Sequence, residues 1–118
     1  MLPAGSRLTH RDEFASVMRR GRRAGRSSLV VHLHRSGDGS EARAGFVVSK
    51  AVGGSVVRHR VTRRLRHLVA PLLPTLPPGA LLVVRALPPA AAASSAELGL
   101  DLEAGLRSAV RKLAAGAR

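Results

Sequence analysis

Several residue types are missing or rare in this chain of 118 residues, and each shortage excludes a class of protein. The absence of cysteine rules out disulfides, thiolate zinc sites and cysteine nucleophiles. Tyrosine and tryptophan are also absent and only two phenylalanines occur, so a surface that stacks bases on aromatic rings has few candidates. Because no apolar run approaches the roughly 18 residues of a membrane-spanning helix and no signal-type segment is visible, we expect a cytoplasmic protein that does not bind membranes.

The scarcity of acidic residues is the most informative of these shortages. Seven Asp and Glu stand against 20 Lys and Arg, which gives a net charge of +13, and no acid lies between Glu41 and Glu97. A folded domain with such an excess calls for a polyanionic partner, most commonly a nucleic acid. A GC-rich genome would explain why 18 of the cations are Arg, but it would not explain the missing acids.

The rest of the composition fits one folded domain over residues 1–118, with loose ends at 1–8 and 114–118. Its length lies in the range of about 100–200 residues that is usual for a domain, and 45% of its residues are hydrophobic. Apolar spacing predicts helices over 10–20, 56–70 and 94–115, and strands over 28–34, 44–50 and 81–84. The order αββαβα, with room for one more short strand, indicates a small α+β sandwich in which the first two strands form a hairpin.

Polar residues mark the predicted start of each helix. Thr9 and Ser55 precede the first two apolar-periodic segments and are predicted to cap those helices. Ser94 followed three residues later by Glu97 is the pattern of a capping box before the third.

The segment 50–68 carries the densest positive charge. As a helix it places Val57, Val61 and Leu65 on one face, which we expect to be buried. The opposite side holds His59, Arg63, Arg66 and His67, with Arg60 and Arg64 on one flank and Arg58 on the other. These cations repel one another and have no acid on the helix to pair with. Phosphates would neutralise them, because guanidinium groups match phosphate oxygens, whereas a merely solvated face would carry both signs.

This segment resembles the signature of the bacterial ribonuclease P protein subunits, S-K-K-x-G-N-A-V-x-R-N-R-x-K-R-x-x-R. The matching residues are Ser49, Lys50, Gly53, Val56, Arg58, Arg60, Arg63 and Arg66. Upstream, the stretch from Arg7 to Phe14 is similar to an early R-L-x-x-x-x-[DE]-F, and 43–46 to an R-x-G-[FL] that precedes S-K. Length and element order also agree, so the resemblance covers the whole chain.

The resemblance implies both a fold and a function. Members of that family are α+β sandwiches with a left-handed βαβ crossover, and they assist a catalytic RNA that removes the 5′ leader from precursor tRNA. The RNA and its Mg²⁺ ions perform the hydrolysis, so we expect no catalytic side chain and no cofactor bound by the protein. The expected partners are the catalytic RNA, with one protein to each RNA, and precursor tRNA; no DNA is expected.

By position, the resemblance assigns two sets of residues. The predicted RNA-binding residues are Ser49, Lys50, Arg58, His59, Arg60, Arg63, Arg64 and Arg66. The predicted residues of the leader cleft are Phe14, Met18, Val31 and Arg85. The chain departs from the family where His59 replaces the usual Asn and where Ala51 and Thr62 replace common basic residues. The cleft is poor in aromatic rings, so we expect it to bind mainly by charge and shape, and Phe14 is explained equally well as ordinary helix core.

Other functions stay open on these residues. A non-catalytic RNA-binding or ribosome-associated protein would share the charge but not the signature. A helix-turn-helix DNA-binding protein is disfavoured because strands precede the basic helix, and a basic membrane helix because its apolar stripe is needed for the core. The five histidines show no HExxH spacing, and the Gly53-Gly54 pair lacks the lysine of a phosphate-binding loop.

Overall fold

The computed structural model describes residues 2–36 and 39–116. In it, segments with apolar periodicity form three α-helices and four strands. The helices are α1 (Arg11–Arg20), α2 (Ser55–Val69) and α3 (Ser95–Gly116). The strands are β1 (Arg22–Gly25), β2 (Leu29–Arg35), β3 (Arg43–Val47) and β4 (Ala80–Ala86). The predicted α+β class and element order are confirmed, and β1 is the additional short strand.

The four strands form one sheet in the order β1-β2-β4-β3. Strand β4 is almost entirely apolar and buried, so it occupies a position between two neighbours. It pairs antiparallel with β2 and parallel with β3. Parallel neighbours need a crossover, which α2 supplies between β3 and β4. The left-handed sense of that crossover remains a prediction of the resemblance.

The predicted hairpin between the first two recognised strands is wrong. Strands β2 and β3 do not pair with each other, because β4 lies between them. The hairpin partner of β2 is instead β1, whose Arg23 lies opposite His32. Alternation of apolar residues identifies a strand and its faces, but it does not say which strand lies beside it.

The sheet separates two layers of core. Helices α2 and α3 cover the face that carries Leu33, Leu82 and Val84. Helix α1 covers the other face, where Val17 packs with Leu81 and Val83. Because side chains alternate along a strand, every residue of β2 and β4 is committed to one layer or the other.

The capping predictions succeed only for α3. Ser94 donates its backbone N–H to Glu97 Oε1 at 2.9 Å, and Glu97 donates its own to Ser94 Oγ at 3.1 Å. The bonds from Ser94, led by its backbone N–H, lower the pKa of Glu97. The N-caps of α1 and α2 are His10 and Gly54 rather than Thr9 and Ser55, and neither makes a side-chain capping bond.

The N-terminal segment is packed on the domain, contrary to the expectation of a loose end at 1–8. Leu2 is 1% exposed, and the backbone N–H of Leu8 donates to Ala44 O at 2.8 Å. At the other end α3 continues to Gly116. Met1, Ala117 and Arg118 lie outside the described residues. Within those residues, no helix is both long and apolar enough to cross a membrane.

Candidate nucleic-acid interface

A basic groove runs along the outer face of α2. It has a volume of about 730 Å³ and is lined by Leu2, Arg7, Val48, Ser55, Arg58, His59, Thr62, Arg63, Arg66 and His67. Four arginines and two histidines contribute to this lining, and no acidic residue does. The groove therefore concentrates positive charge in a concave surface, where the field acting on an anion is strongest.

The packing of α2 determines which side chains reach this groove. Val61, Leu65 and Val69 are fully buried against the sheet and α3. With that stripe fixed, the 100° rotation per residue turns Arg63 and Arg66 outward, as the helical wheel predicts. The opposite wall comes from the N-terminal segment, where Arg7 donates its Nε–H to Leu2 O at 2.9 Å.

Two groove arginines have hydrogen-bond donors without a protein acceptor. The Nε atoms of Arg58 and Arg66 are buried and have no partner among the described residues. A buried donor without an acceptor is unfavourable, so a ligand that accepts a hydrogen bond from it is favoured. Arg58 also lies one turn from the N-terminus of α2, whose dipole adds positive potential and has no acid to offset it. An anion would satisfy both the donors and the charge.

Arg60 and Arg64 lie on a different flank of α2 and do not line the groove. Arg60 Nη2 donates to Ala91 O at 3.1 Å, and Arg64 Nη1 donates to Ala93 O at 3.1 Å. Both carbonyls belong to the connection between β4 and α3, which includes the short 3-10 helix Pro88–Ala91. These two arginines, the clamp arginines, therefore fasten α2 to that connection.

The other predicted RNA-binding residues lie close to the groove. Ser49 and Lys50 are exposed in the turn between β3 and α2, next to the lining residue Val48. His59 is exposed and lines the groove itself, so its ring replaces the usual Asn at an accessible position. Thr62 also lines the groove, but its hydroxyl donates to Arg58 O at 2.8 Å within the helix.

The residues predicted for a leader cleft do not all share one face. Phe14 and Met18 pack against the α1 layer, and Arg85 projects from β4 toward the same layer as Leu81 and Val83. Val31 is fully buried in the opposite layer, against α3. Val31 therefore lies on the face of the sheet opposite to Phe14, Met18 and Arg85, where it cannot line a cleft with them.

The neighbour of Val31, His32, faces the α1 layer. His32 is 4% exposed, and neither of its ring nitrogens has a hydrogen-bond partner among the described residues. Its Cα lies opposite that of Arg23 on β1, and Arg85 is its diagonal neighbour on β4. Burial, followed by the positive charges of Arg85 and Arg23, lowers the pKa of His32. The cleft thus combines two guanidinium groups with a neutral imidazole.

Phe14 is held by packing in this layer. Its ring lies against the backbone of Gly45 on β3, where even a Cβ atom would collide with it. It also borders a small cavity of about 100 Å³ that Arg7 and Arg66 line as well. The ring therefore fills the junction between the candidate cleft and the groove of α2. No group of three or more His, Asp or Glu side chains that could hold a metal ion occurs in residues 2–36 and 39–116.

Comparison with known proteins assigns the chain to a family. The family described as Ribonuclease P matches residues 2–110. A ribonuclease P protein component from Streptomyces bikiniensis is 56% identical over the full length of both chains. One from Mycobacterium sp. (strain KMS) is 49% identical over 99% of this chain and 100% of its own. The chain belongs to the ribonuclease P protein family.

Solved structures of family members have the same fold. The RNase P protein of Staphylococcus aureus superimposes with a TM-score of 0.78 at 22% identity, over 88% of this chain and 94% of its own. The Thermotoga maritima protein gives 0.72 at 21% identity, over 89% and 96%. These similarities agree with the α+β class predicted from the order of helices and strands.

Sequence reasoning missed three side chains at these sites. Arg7 belongs to the family pattern, but its position in the groove depends on the docking of residues 2–8. His67 lies on the outer face of the helical wheel without being one of the predicted site residues. His32 could have been found by giving β2 the opposite face, because an alternating strand leaves only two choices.

Proposed function

We propose that this chain, as a protein subunit of ribonuclease P, binds the catalytic RNA through the basic groove of α2. The groove supports this because its lining has cations from α2 and from the N-terminal segment, no acid, and two buried donors without an acceptor. Arg58, Arg63 and Arg66 are the proposed phosphate ligands. Ser49, Lys50 and His59 are proposed to contact RNA at the groove's edge, and Arg60 and Arg64 to hold the helix that carries these residues.

We further propose that the α1 face of the sheet binds the 5′ leader of precursor tRNA. Phe14 and Met18 pack on that face, Arg85 projects toward it, and the exposed Arg23 lies at its β1 edge opposite the buried His32. The two guanidinium groups would bind leader phosphates, and the imidazole of His32 would donate or accept one hydrogen bond. Only one aromatic ring is present, so charge would contribute more of the affinity than stacking.

The division of chemistry follows from these residues. The protein supplies positive charge and shape, and the RNA subunit with Mg²⁺ is proposed to carry out the endonucleolytic cleavage that produces the 5′ end of the mature tRNA in the cytoplasm. Guanidinium groups at the RNA replace part of the cation atmosphere that folding of the RNA demands. The alternative of a non-catalytic RNA-binding or ribosome-associated protein is not favoured by the family assignment.

The experiment is reconstitution with the RNA subunit from the same genome. Cleavage of a precursor tRNA is measured from low to high Mg²⁺, with and without the full-length protein, and with an equal charge of polylysine as the control. We expect the protein, but not polylysine, to restore cleavage at low Mg²⁺. Equal rates with and without the protein at every Mg²⁺ concentration would contradict the proposal.

A further inference from the structure

A second concentration of positive charge lies at the β1 edge of the sheet, away from the groove. Helix α1 ends in Arg19 and Arg20, and after a single glycine β1 begins with Arg22 and Arg23. All four arginines are exposed. Strand β1 lies at one edge of the sheet and β3 at the other, about 14 Å away across three strand spacings. Helix α2 follows β3 and packs against it, so the two basic surfaces lie toward opposite edges.

The C-terminal part of α3 extends this charge around the edge. Lys112 donates from Nζ to Arg23 O at 2.6 Å, and the guanidinium of Arg22 lies close to Gly116. Arg111 is exposed next to Lys112. We call the set Arg19, Arg20, Arg22, Arg111 and Lys112 the basic corner.

The basic corner is not neutralised by nearby acids in sequence. The chain has no Asp or Glu from Phe14 to Ser36 and none from Ala104 to Gly116. The ion pair of Arg26 with Asp101, at 3.9 Å, lies beyond the other end of β1. Like charges at this density repel one another, so the arrangement costs stability unless an anion binds.

Two structural roles explain only part of this charge. Cations near the C-terminus of a helix interact favourably with its dipole, which accounts for Arg19 and Arg20 on α1 and for Arg22 beside Gly116 of α3. Charged residues also protect an edge strand from pairing with another chain, which one arginine on β1 would achieve. Neither role explains why cations from α1, β1 and α3 come together at one place.

We infer that the basic corner binds a second segment of the partner RNA, through its phosphate backbone and without regard to sequence. This inference rests on the proposed function, because it takes the same RNA as the ligand. A lipid surface fits less well, since basic segments that bind membranes insert apolar side chains and the exposed large hydrophobic residues, Val56 and Leu100, lie elsewhere. A protein that contacts RNA at two opposite edges would hold two RNA segments in a fixed relation.

The test compares two variants that lose the same charge. Arg19→Gln/Arg22→Gln removes two cations from the basic corner, and Arg11→Gln/Arg35→Gln removes two exposed cations outside it and outside the groove. Binding of the full-length chains to the ribonuclease P RNA of the same genome is measured from about 50 to about 400 mM salt. This range includes physiological ionic strength. The slope of log K against log salt is negative, and removing one cation that binds a phosphate reduces its magnitude by about 0.7–0.9. A lower slope here means a shallower one.

We expect the corner variant to lower that slope by about 1.5 and the control variant to leave it unchanged. Nuclease footprinting should show weaker protection of one RNA segment, different from the segment exposed by Arg58→Gln/Arg63→Gln in the groove. A corner variant with the slope and footprint of the control would overturn the inference. So would self-association of that variant with an unchanged slope, since this would show that the arginines only protect the edge.

Two further measurements keep the result decisive. Circular dichroism checks the fold, and the single variants Arg19→Gln and Arg22→Gln replace the double variant if it is unfolded. The groove variant separates this inference from the proposed function. If the groove variant lowers the slope and the corner variant does not, the inference alone is wrong. If the groove variant leaves the slope unchanged, the proposed groove interface is wrong whatever the corner variant does.

Discussion

Both flanks of α2 carry arginines, but the surroundings of these arginines differ between the two flanks. On one flank Arg58 and Arg66 line a groove and have buried Nε donors that meet no protein acceptor among the described residues. On the other flank Arg60 and Arg64 donate from Nη atoms to the carbonyls of Ala91 and Ala93, although the Nε of Arg60 is also buried without an acceptor among the described residues. One basic motif thus contains residues suited to bind an anion and residues that hold the helix in place.

The comparison shows that helical angle, and not residue type, separates the two roles. Arg63 and Arg64 are adjacent in the sequence, yet 100° of rotation directs one to the groove and the other to the β4–α3 connection. A guanidinium has five donors, so one bond to a carbonyl occupies only part of its capacity. The clamp arginines differ in that removing them should lower the free energy of unfolding of the domain before it affects RNA binding.

The largest expected effect is on RNA binding by the groove flank. Arg58→Gln/Arg63→Gln removes two charge-assisted contacts of about 1.5 kcal/mol each, so affinity for the RNA subunit should fall about 100-fold. The free energy of unfolding should change little, because Arg63 is exposed and the buried Nε of Arg58 has no acceptor in the described part of the chain. Filter binding and urea denaturation measure the two quantities. An equal loss of stability would mean that this flank is structural as well.

The clamp flank should show the opposite pattern. Arg60→Ala removes the bond to Ala91 O and the packing of its aliphatic stem, so it should destabilise the domain by about 1–2 kcal/mol. The salt slope of RNA binding should stay that of the wild type. Arg63→Ala is the matched control, with a lower slope and unchanged stability in the same two assays. If Arg60→Ala lowers the slope without destabilising the domain, Arg60 belongs with the groove arginines.

His32 is a buried basic side chain on the other face of the sheet from α2. Its ring nitrogens have no hydrogen-bond partner within residues 2–36 and 39–116. Burial and the charges of Arg85 and Arg23 lower its pKa, so below about pH 6.5 the unfolded chain binds a proton that the folded chain does not. The stability from neutral His32 is therefore present above that pH and is lost as the pH falls toward the lowered folded-state pKa.

His32→Leu should remove this pH dependence while leaving the packing of the α1 layer intact. Between about pH 7.5 and 5.5, the wild type should lose more stability than the variant, by up to about 1.4 kcal/mol for each pH unit over which the proton is taken up. Urea denaturation at both pH values measures the difference. Parallel losses in the two proteins would show that groups other than His32 determine the pH dependence.

The smallest expected effect is a gain in RNA affinity from a substitution on the groove flank. Thr62 lines the groove at a position where the ribonuclease P signature has a basic residue. Thr62→Lys adds one cation there, so the salt slope should become steeper by about 0.7–0.9. The affinity for RNA at low salt should increase several-fold. Thr62→Val is the control, since it removes the hydroxyl bond to Arg58 O without adding charge. A lysine variant that matches the valine variant would mean that RNA does not approach this part of the groove.

Local periodicity predicts the helices and the side of α2 that faces away from the core. It places Arg63 and Arg66 outward and Arg60 and Arg64 on a separate flank, as the structure does. It could not predict that this flank meets Ala91 and Ala93, because the contact joins segments about 30 residues apart.

The errors have the same origin. The predicted hairpin is wrong because the neighbours of β4 depend on tertiary pairing, and the face on which Val31 lies depends on which helix covers that side of the sheet. The place of Arg7 in the groove follows from the docking of Leu2 and Leu8, which periodicity does not reveal. Each of these features is a relation between segments that are distant in sequence.

The two roles of the α2 arginines are tested most directly by comparing Arg63→Ala with Arg64→Ala, since the two variants lose the same charge at adjacent positions. The salt dependence of binding to the ribonuclease P RNA is the measurement, with urea denaturation alongside. We expect Arg63→Ala to reduce the magnitude of the slope by about 0.7–0.9 and to leave the free energy of unfolding unchanged. For Arg64→Ala we expect the wild-type slope and a loss of about 1 kcal/mol in the free energy of unfolding. Equal slopes and equal stabilities for the two variants would contradict this division of roles.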